Sequence, residues 1–174
     1  VPAILLLSTI SIEEGLTEDM PQLIEALQEL ADKGENVNAQ YILGKIYTAD
    51  WEFYNLEKGI EYLEHAAEQG NEWAQYLLGK LYVNPELEIY NLEKGMGYLE
   101  ESAEQGNEWA QYLLGKLYVN PELEIYNLEK GIGYLESSAE QGNEWAQYLL
   151  GKLYVNPELE IYDLEKGMGY LEES

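Results

Sequence analysis

Trp73, Tyr76 and Lys80 are spaced i, i+3 and i+7, and the trio returns as Trp109, Tyr112 and Lys116 and again as Trp145, Tyr148 and Lys152. On a helix this spacing sets all three side chains on one flank. They supply two rigid, amphipathic rings and one ammonium donor. That is the chemistry of holding an extended peptide, with aromatic anchors and polar handles, and not of breaking a bond. These nine residues form the candidate peptide-binding set. The competing reading of the same residues is structural: one Trp and one Tyr per unit would pack each unit on the next.

Other chemistries lack their residues. Catalysis needs convergent groups of different kinds, such as a nucleophile with its base or a metal with its ligands. The chain has no Cys and a single His, so thiol nucleophiles, thiolate metal sites and multi-His sites are excluded. No glycine-rich phosphate loop or nucleophile elbow occurs. His65 occupies the position held in other units by Glu101 and Ser137, which marks it as a surface residue. Glu93, Glu100, Glu101 and Glu104 share the outer half of one helix. Calcium would need roughly six to eight oxygens wrapped around a point by a turning loop, so these carboxylates read as a solvated convex face. The expectation is a non-enzymatic protein with no catalytic residue, no metal and no cofactor.

The 174 residues carry a net charge of −25, from 34 Asp and Glu against 9 basic residues, all of them Lys. Nucleic acid and anionic membranes are disfavoured as partners by this sign, and Arg, the better phosphate ligand, is absent. The same field favours a basic protein or peptide and weakens with salt. The apolar opening from Val1 to Leu7 has no basic flank and runs into Ser8 and Thr9. It predicts neither a signal peptide nor a membrane span, and so a cytoplasmic or other soluble compartment.

The trios must be positioned by something that repeats, and the sequence does. Residues 107–142 restate residues 71–106 except for Ile132 in place of Met96 and Ser137 in place of Glu101. Residues 143–174 restate them again with Asp163 for Asn91. Gly34, Gly70, Gly106 and Gly142, spaced 36 residues apart, end the units. The chain therefore divides into five units, 1–34, 35–70, 71–106, 107–142 and 143–174, within one repeat domain. In the first unit, Ala3 to Ile10 stands for the first half and Asp19 to Gly34 for the second.

Each unit predicts two helices. Over 71–83, Ala74, Leu77, Leu78 and Leu81 recur at helical spacing, and over 92–105, Leu92, Met96, Leu99 and Ala103 do the same. Asn91 suits the N-cap of the second helix, with Glu93 in the first turn where the helix dipole favours an anion. Pro85 lies in the connection and Gly106 ends the unit. Gly79 and Gly95 suit a close helix crossing. Gly97 falls on the outer side, where it costs about 1 kcal/mol relative to Ala without an evident return.

The string Ala103-Glu104-Gln105-Gly106-Asn107, followed by Ala110-Gln111-Tyr112, Leu114-Gly115 and Tyr118, resembles the Sel-one-like repeat (SLR) family. These repeats are relatives of the tetratricopeptide repeat with a longer inter-helix connection. The resemblance implies an all-α fold: an α-solenoid, a right-handed superhelix of five helix-turn-helix units and about ten helices. It also implies an adaptor or scaffold that binds proteins or peptides, with the first helices lining the concave surface.

Near-identity of successive units means either a very recent duplication or a deliberately assembled array, and the sequence favours the second. Two roles follow. One is an engineered scaffold of the peptide-binding type; the alternative is a purely structural module, built for architecture or head-to-tail assembly, with no ligand. Charge repulsion predicts a monomer at low salt, with end-to-end stacking as salt rises.

Overall fold

The computed structural model describes residues 20–34, 36–49 and 52–174, and every regular element among them is an α-helix. In chain order these are α1 (Met20–Gly34), α2 (Val37–Thr48), α3 (Leu56–Glu68), α4 (Glu72–Tyr82), α5 (Leu92–Glu104), α6 (Glu108–Tyr118), α7 (Leu128–Glu140), α8 (Glu144–Tyr154) and α9 (Leu164–Glu173). The helix expected over Ala3 to Ile10 lies outside the described residues. The helices group into two compact units, Val1–Leu78 and Gly79–Ser174.

Local sequence explains the helix ends. Asn91 and Asn127 adopt extended backbone, and their side chains accept hydrogen bonds from the Lys94 and Lys130 amides at 3.0 and 2.9 Å. Asp163 does the same for Lys166 at 3.0 Å, so the Asn-to-Asp change in the last repeat keeps the cap. Asn107 and Asn143 cap α6 and α8 through the Ala110 and Ala146 amides. Gly106 and Gly142 take φ of 95° and 91°, a conformation that L side chains rarely adopt. The chain therefore leaves each second helix in a left-handed turn and enters the next first helix within two residues.

In the first unit, Met20, Leu27, Ala31, Ala39, Leu43 and Ile46 form the core of α1 and α2, with Leu63 of α3 also fully buried. In the second unit the core is a column of Leu99, Ala103, Ala110, Leu114, Leu135, Ala139, Ala146 and Leu150. Ala74 and Leu78 are the fully buried pair of α4, while Leu77 and Leu81 are half-buried. The core stripe is thus narrower than helical spacing alone predicts.

The two helices of a repeat meet through glycines. A Cβ on Gly115 would lie 2.6 Å from Leu135 Cγ and 3.0 Å from the Gly131 carbonyl oxygen. One on Gly131 would lie 2.5 Å from Val119 Cγ1 and 3.1 Å from the Val119 nitrogen. Bare backbone on both helices lets α6 and α7 touch directly. Gly79 with Gly95, and Gly151 with Gly167, build the same crossing.

Candidate functional site

Within the second unit, the predicted trios of two successive repeats converge. Tyr112 and Lys116 of α6 and Trp145, Tyr148, Leu149 and Lys152 of α8 line one surface groove of about 360 Å³, together with Val119 and Asn120. Its charged lining is the two lysines; no carboxylate contributes. Trp145 and Tyr148 are 59% and 46% exposed, and both lysines are exposed. The Lys152 ammonium lies 5.5 Å from the Tyr148 ring centroid, a cation–π contact on the groove wall. Tyr112 is half-buried, and burial pushes its phenol pKa up.

The remaining members sit less openly. Trp109 is half-buried and does not line the groove. Trp73 and Tyr76, on the part of α4 in the first unit, meet edge to face with ring centroids 6.3 Å apart, Trp73 being 40% exposed. Lys80, at the start of the second unit, is exposed. The basic partner expected from the net charge therefore finds a local sign opposite to the global one. The groove is lined by first helices, whereas the carboxylates concentrate on second helices and connections.

A second recurring constellation was not anticipated. The Lys130 ammonium donates to the Tyr118 hydroxyl at 2.6 Å and to Glu100 at 3.3 Å, while the Tyr118 hydroxyl donates to the same Glu100 carboxylate at 3.2 Å. One repeat on, Lys166, Tyr154 and Glu136 repeat this with distances of 2.7, 2.9 and 3.1 Å. Tyr118 stacks on Tyr134, and Tyr154 on Tyr170, at centroid separations of 5.9 and 6.0 Å. Each clasp ties the second helix of one repeat to both helices of the next. The hydrogen bonds that Lys130 and Lys166 donate to the tyrosine hydroxyls raise the pKa of both lysines, with the glutamates adding to the effect. Glu100 and Glu136 are accordingly structural partners, and the expectation of a wholly solvated carboxylate face fails at these two positions. Spacing gave a hint, since Tyr, Lys and Glu each recur once per repeat. Nothing in a single unit says that Glu pairs forward into the next one.

His65 is exposed on α3. Among the described residues, no helix is long and apolar enough to cross a membrane.

The Sel1 repeat profile matches residues 37–71, 74–107, 110–143 and 146–174. The chain belongs to the Sel1 repeat family. Sel1 repeats are a non-catalytic, scaffold type of helical repeat that commonly mediates protein interactions. Four repeats match, and α1 precedes them as the second-half helix that the sequence assigns to the first unit. The fold is similar to a Sel1 repeat protein from Oxalobacter formigenes, with TM-score 0.81 and 21% identity over 99% of this chain and 71% of that one. It is also similar to a sel1 repeat protein from Klebsiella pneumoniae, with TM-score 0.63 and 24% identity over 87% of this chain and 72% of that one. An immunity protein, Pa5087 from Pseudomonas aeruginosa, aligns with TM-score 0.50 and 19% identity over 99% of this chain and 80% of that one. At these identities the likeness is one of fold, an all-α Sel1 repeat solenoid. No curated protein sequence matches the chain.

Proposed function

We propose that this Sel1 repeat chain is a non-enzymatic scaffold whose first-helix groove, built by α6 and α8, binds an extended peptide. The observation that carries this reading is the convergence of Tyr112, Lys116, Trp145, Tyr148 and Lys152 from two repeats on one groove, with Trp145 and Tyr148 largely open to solvent. Exposed aromatic rings cost solvation unless something covers them, and they lose little conformational entropy when it does. The two lysines favour a peptide that presents carboxylates or main-chain carbonyls along that wall. The near-identity of residues 71–106 and 107–142 supports an array assembled from a repeated unit.

A purely architectural role is the second reading. It draws on the half-buried Trp109 and on the edge-to-face packing of Trp73 against Tyr76. Replacing Trp145 and Tyr148 by Ala separates the two. A binding groove loses its peptide while the far-UV circular dichroism and melting temperature hold. A packing role lowers the melting temperature and leaves no binding to lose.

A further inference from the structure

Gly97 and Gly133 lie on the exposed side of α5 and α7, and a Cβ on either would meet nothing within 4 Å. Sterics therefore do not require glycine there, and Ala would favour the helix by about 1 kcal/mol. What the missing side chain does is leave a floor bare. Gly133 opens a groove of about 810 Å³ between α7 and the connection that precedes α9. Its walls are apolar: Leu128 and Ile132 from the helix, Leu159 and Ile161 from the connection. Its rim is acidic, with exposed Glu129, Glu158 and Glu160. Glu136, the fourth carboxylate, is held by Lys166 and Tyr154. No basic residue lines it. One repeat earlier, Gly97, Leu92, Met96 and Ile125, with Glu93 and Glu100, line an equivalent groove of about 530 Å³.

We propose that these second-helix grooves dock a basic segment of a partner protein, its apolar side chain seated over Gly133 or Gly97 and its flanking Lys or Arg residues paired with the glutamate rim. The occupant is set by charge complementarity. With Glu100 and Glu136 held by lysines, the exposed Glu129, Glu158 and Glu160 at the Gly133 groove and Glu93 at the Gly97 groove still disfavour an acidic segment and attract a cationic one, and the net charge of −25 adds a long-range field of the same sign. The apolar floor supplies what the field alone cannot, discrimination between basic segments by the side chain they carry. This surface is separate from the first-helix groove, whose charged lining is lysine. Two such grooves in successive repeats also allow a partner with two basic segments to engage both, raising avidity without new contacts.

The test uses two synthetic peptides, Lys-Lys-Leu-Lys-Lys and Lys-Lys-Gly-Lys-Lys, both acetylated and amidated, titrated into the full chain by calorimetry at low and high salt. The leucine peptide is expected to bind about tenfold more tightly or better, from burial of its side chain. Both affinities fall with salt. A Gly97→Leu/Gly133→Leu double variant, which fills both floors at solvent-exposed positions, is expected to remove the advantage of leucine, whereas Tyr148→Ala retains it. Should the double variant melt early, amide shifts of the unmodified chain decide: Gly97 and Gly133 move with the leucine peptide and Lys116 and Lys152 do not. Equal affinity for the two peptides, no binding at low salt, an undiminished leucine advantage in a folded double variant, or shifts centred on Lys116 and Lys152 would overturn the proposal.

Discussion

Two glycines in the same repeat, Gly115 and Gly133, should respond to one added methyl group with opposite signs. Both are helical, so Gly→Ala gains about 1 kcal/mol of helix propensity at either position. At Gly133 nothing opposes the gain, because the new Cβ points into open space. At Gly115 the Cβ would stand 2.6 Å from Leu135 Cγ, 2.8 Å from Leu135 Cδ2 and 3.0 Å from the Gly131 carbonyl oxygen. Carbon pairs pack at roughly 3.5–4.0 Å, so α6 and α7 must separate by about 1 Å or Leu135 must leave its rotamer. Leu135 is fully buried, and its branch point lies nearest, so the side chain cannot simply swing aside. Overpacking of this kind costs about 1–3 kcal/mol, and with backbone in the way the upper half of that range applies. The net expectation is about +1 kcal/mol for Gly133→Ala and about −1 to −2 kcal/mol for Gly115→Ala. For a chain of this size that is a rise of roughly 2–4 °C against a fall of roughly 2–8 °C. Urea and thermal unfolding followed by far-UV circular dichroism read both. If Gly115→Ala stabilised the chain as much as Gly133→Ala, the direct helix contact on which the repeat geometry rests would not exist.

Four further outcomes follow from the same geometry. Asn127→Ala should cost about 1 kcal/mol through loss of its bond to the Lys130 amide, and Asn127→Asp should restore it, as Asp163 already does one repeat on; chemical denaturation of the pair checks this. A double-mutant cycle on Glu136→Gln and Lys166→Met should give a coupling of about 0.5–1 kcal/mol that shrinks with salt, since both side chains are partly exposed. Alkaline melting should show stability falling as pH rises. Lys130 and Lys166 have raised pKa values in the folded chain, so their contribution is complete below the unfolded value near ~10.5 and is lost as pH climbs through the folded value. Tyr134 and Tyr170, raised by burial, act in the same direction because the unfolded phenols near ~10 ionise first. Light scattering across a salt titration should show mass increasing as the charge is screened, with the exposed Leu164 and Met168 as the apolar contact; a constant monomer mass would exclude stacking through that face.

What the sequence displayed was whatever is decided within one repeat. Asn91 and Gly106 announce a cap and a left-handed exit because both are local backbone requirements. Gly79 and Gly95 mark a close crossing because no side chain fits there. The trio of Trp145, Tyr148 and Lys152 lies on one flank because helical geometry leaves no alternative. What remained hidden is decided between repeats. Exposure falls from Trp145 to Trp109, residues of identical local sequence, because their surroundings along the array differ. Leu77 and Leu78 are equally apolar, yet only Leu78 is fully buried, since the neighbouring helices choose the stripe. Glu100 looked like any other carboxylate of its helix until Lys130 and Tyr118, 30 and 18 residues away, came to meet it. Gly97 carried a cost with no visible return in the sequence, and only the groove beneath it suggests one.

Peptide binding by the first-helix groove can be read from a displayed library of random extended peptides, selected on the full chain and rescored on Trp145→Ala/Tyr148→Ala. Enriched sequences are expected to lose about tenfold or more in affinity on the variant, from two truncated aromatic anchors, while its circular dichroism and melting temperature match the parent. Enriched peptides that bind parent and variant equally, or a selection that enriches nothing, would contradict it.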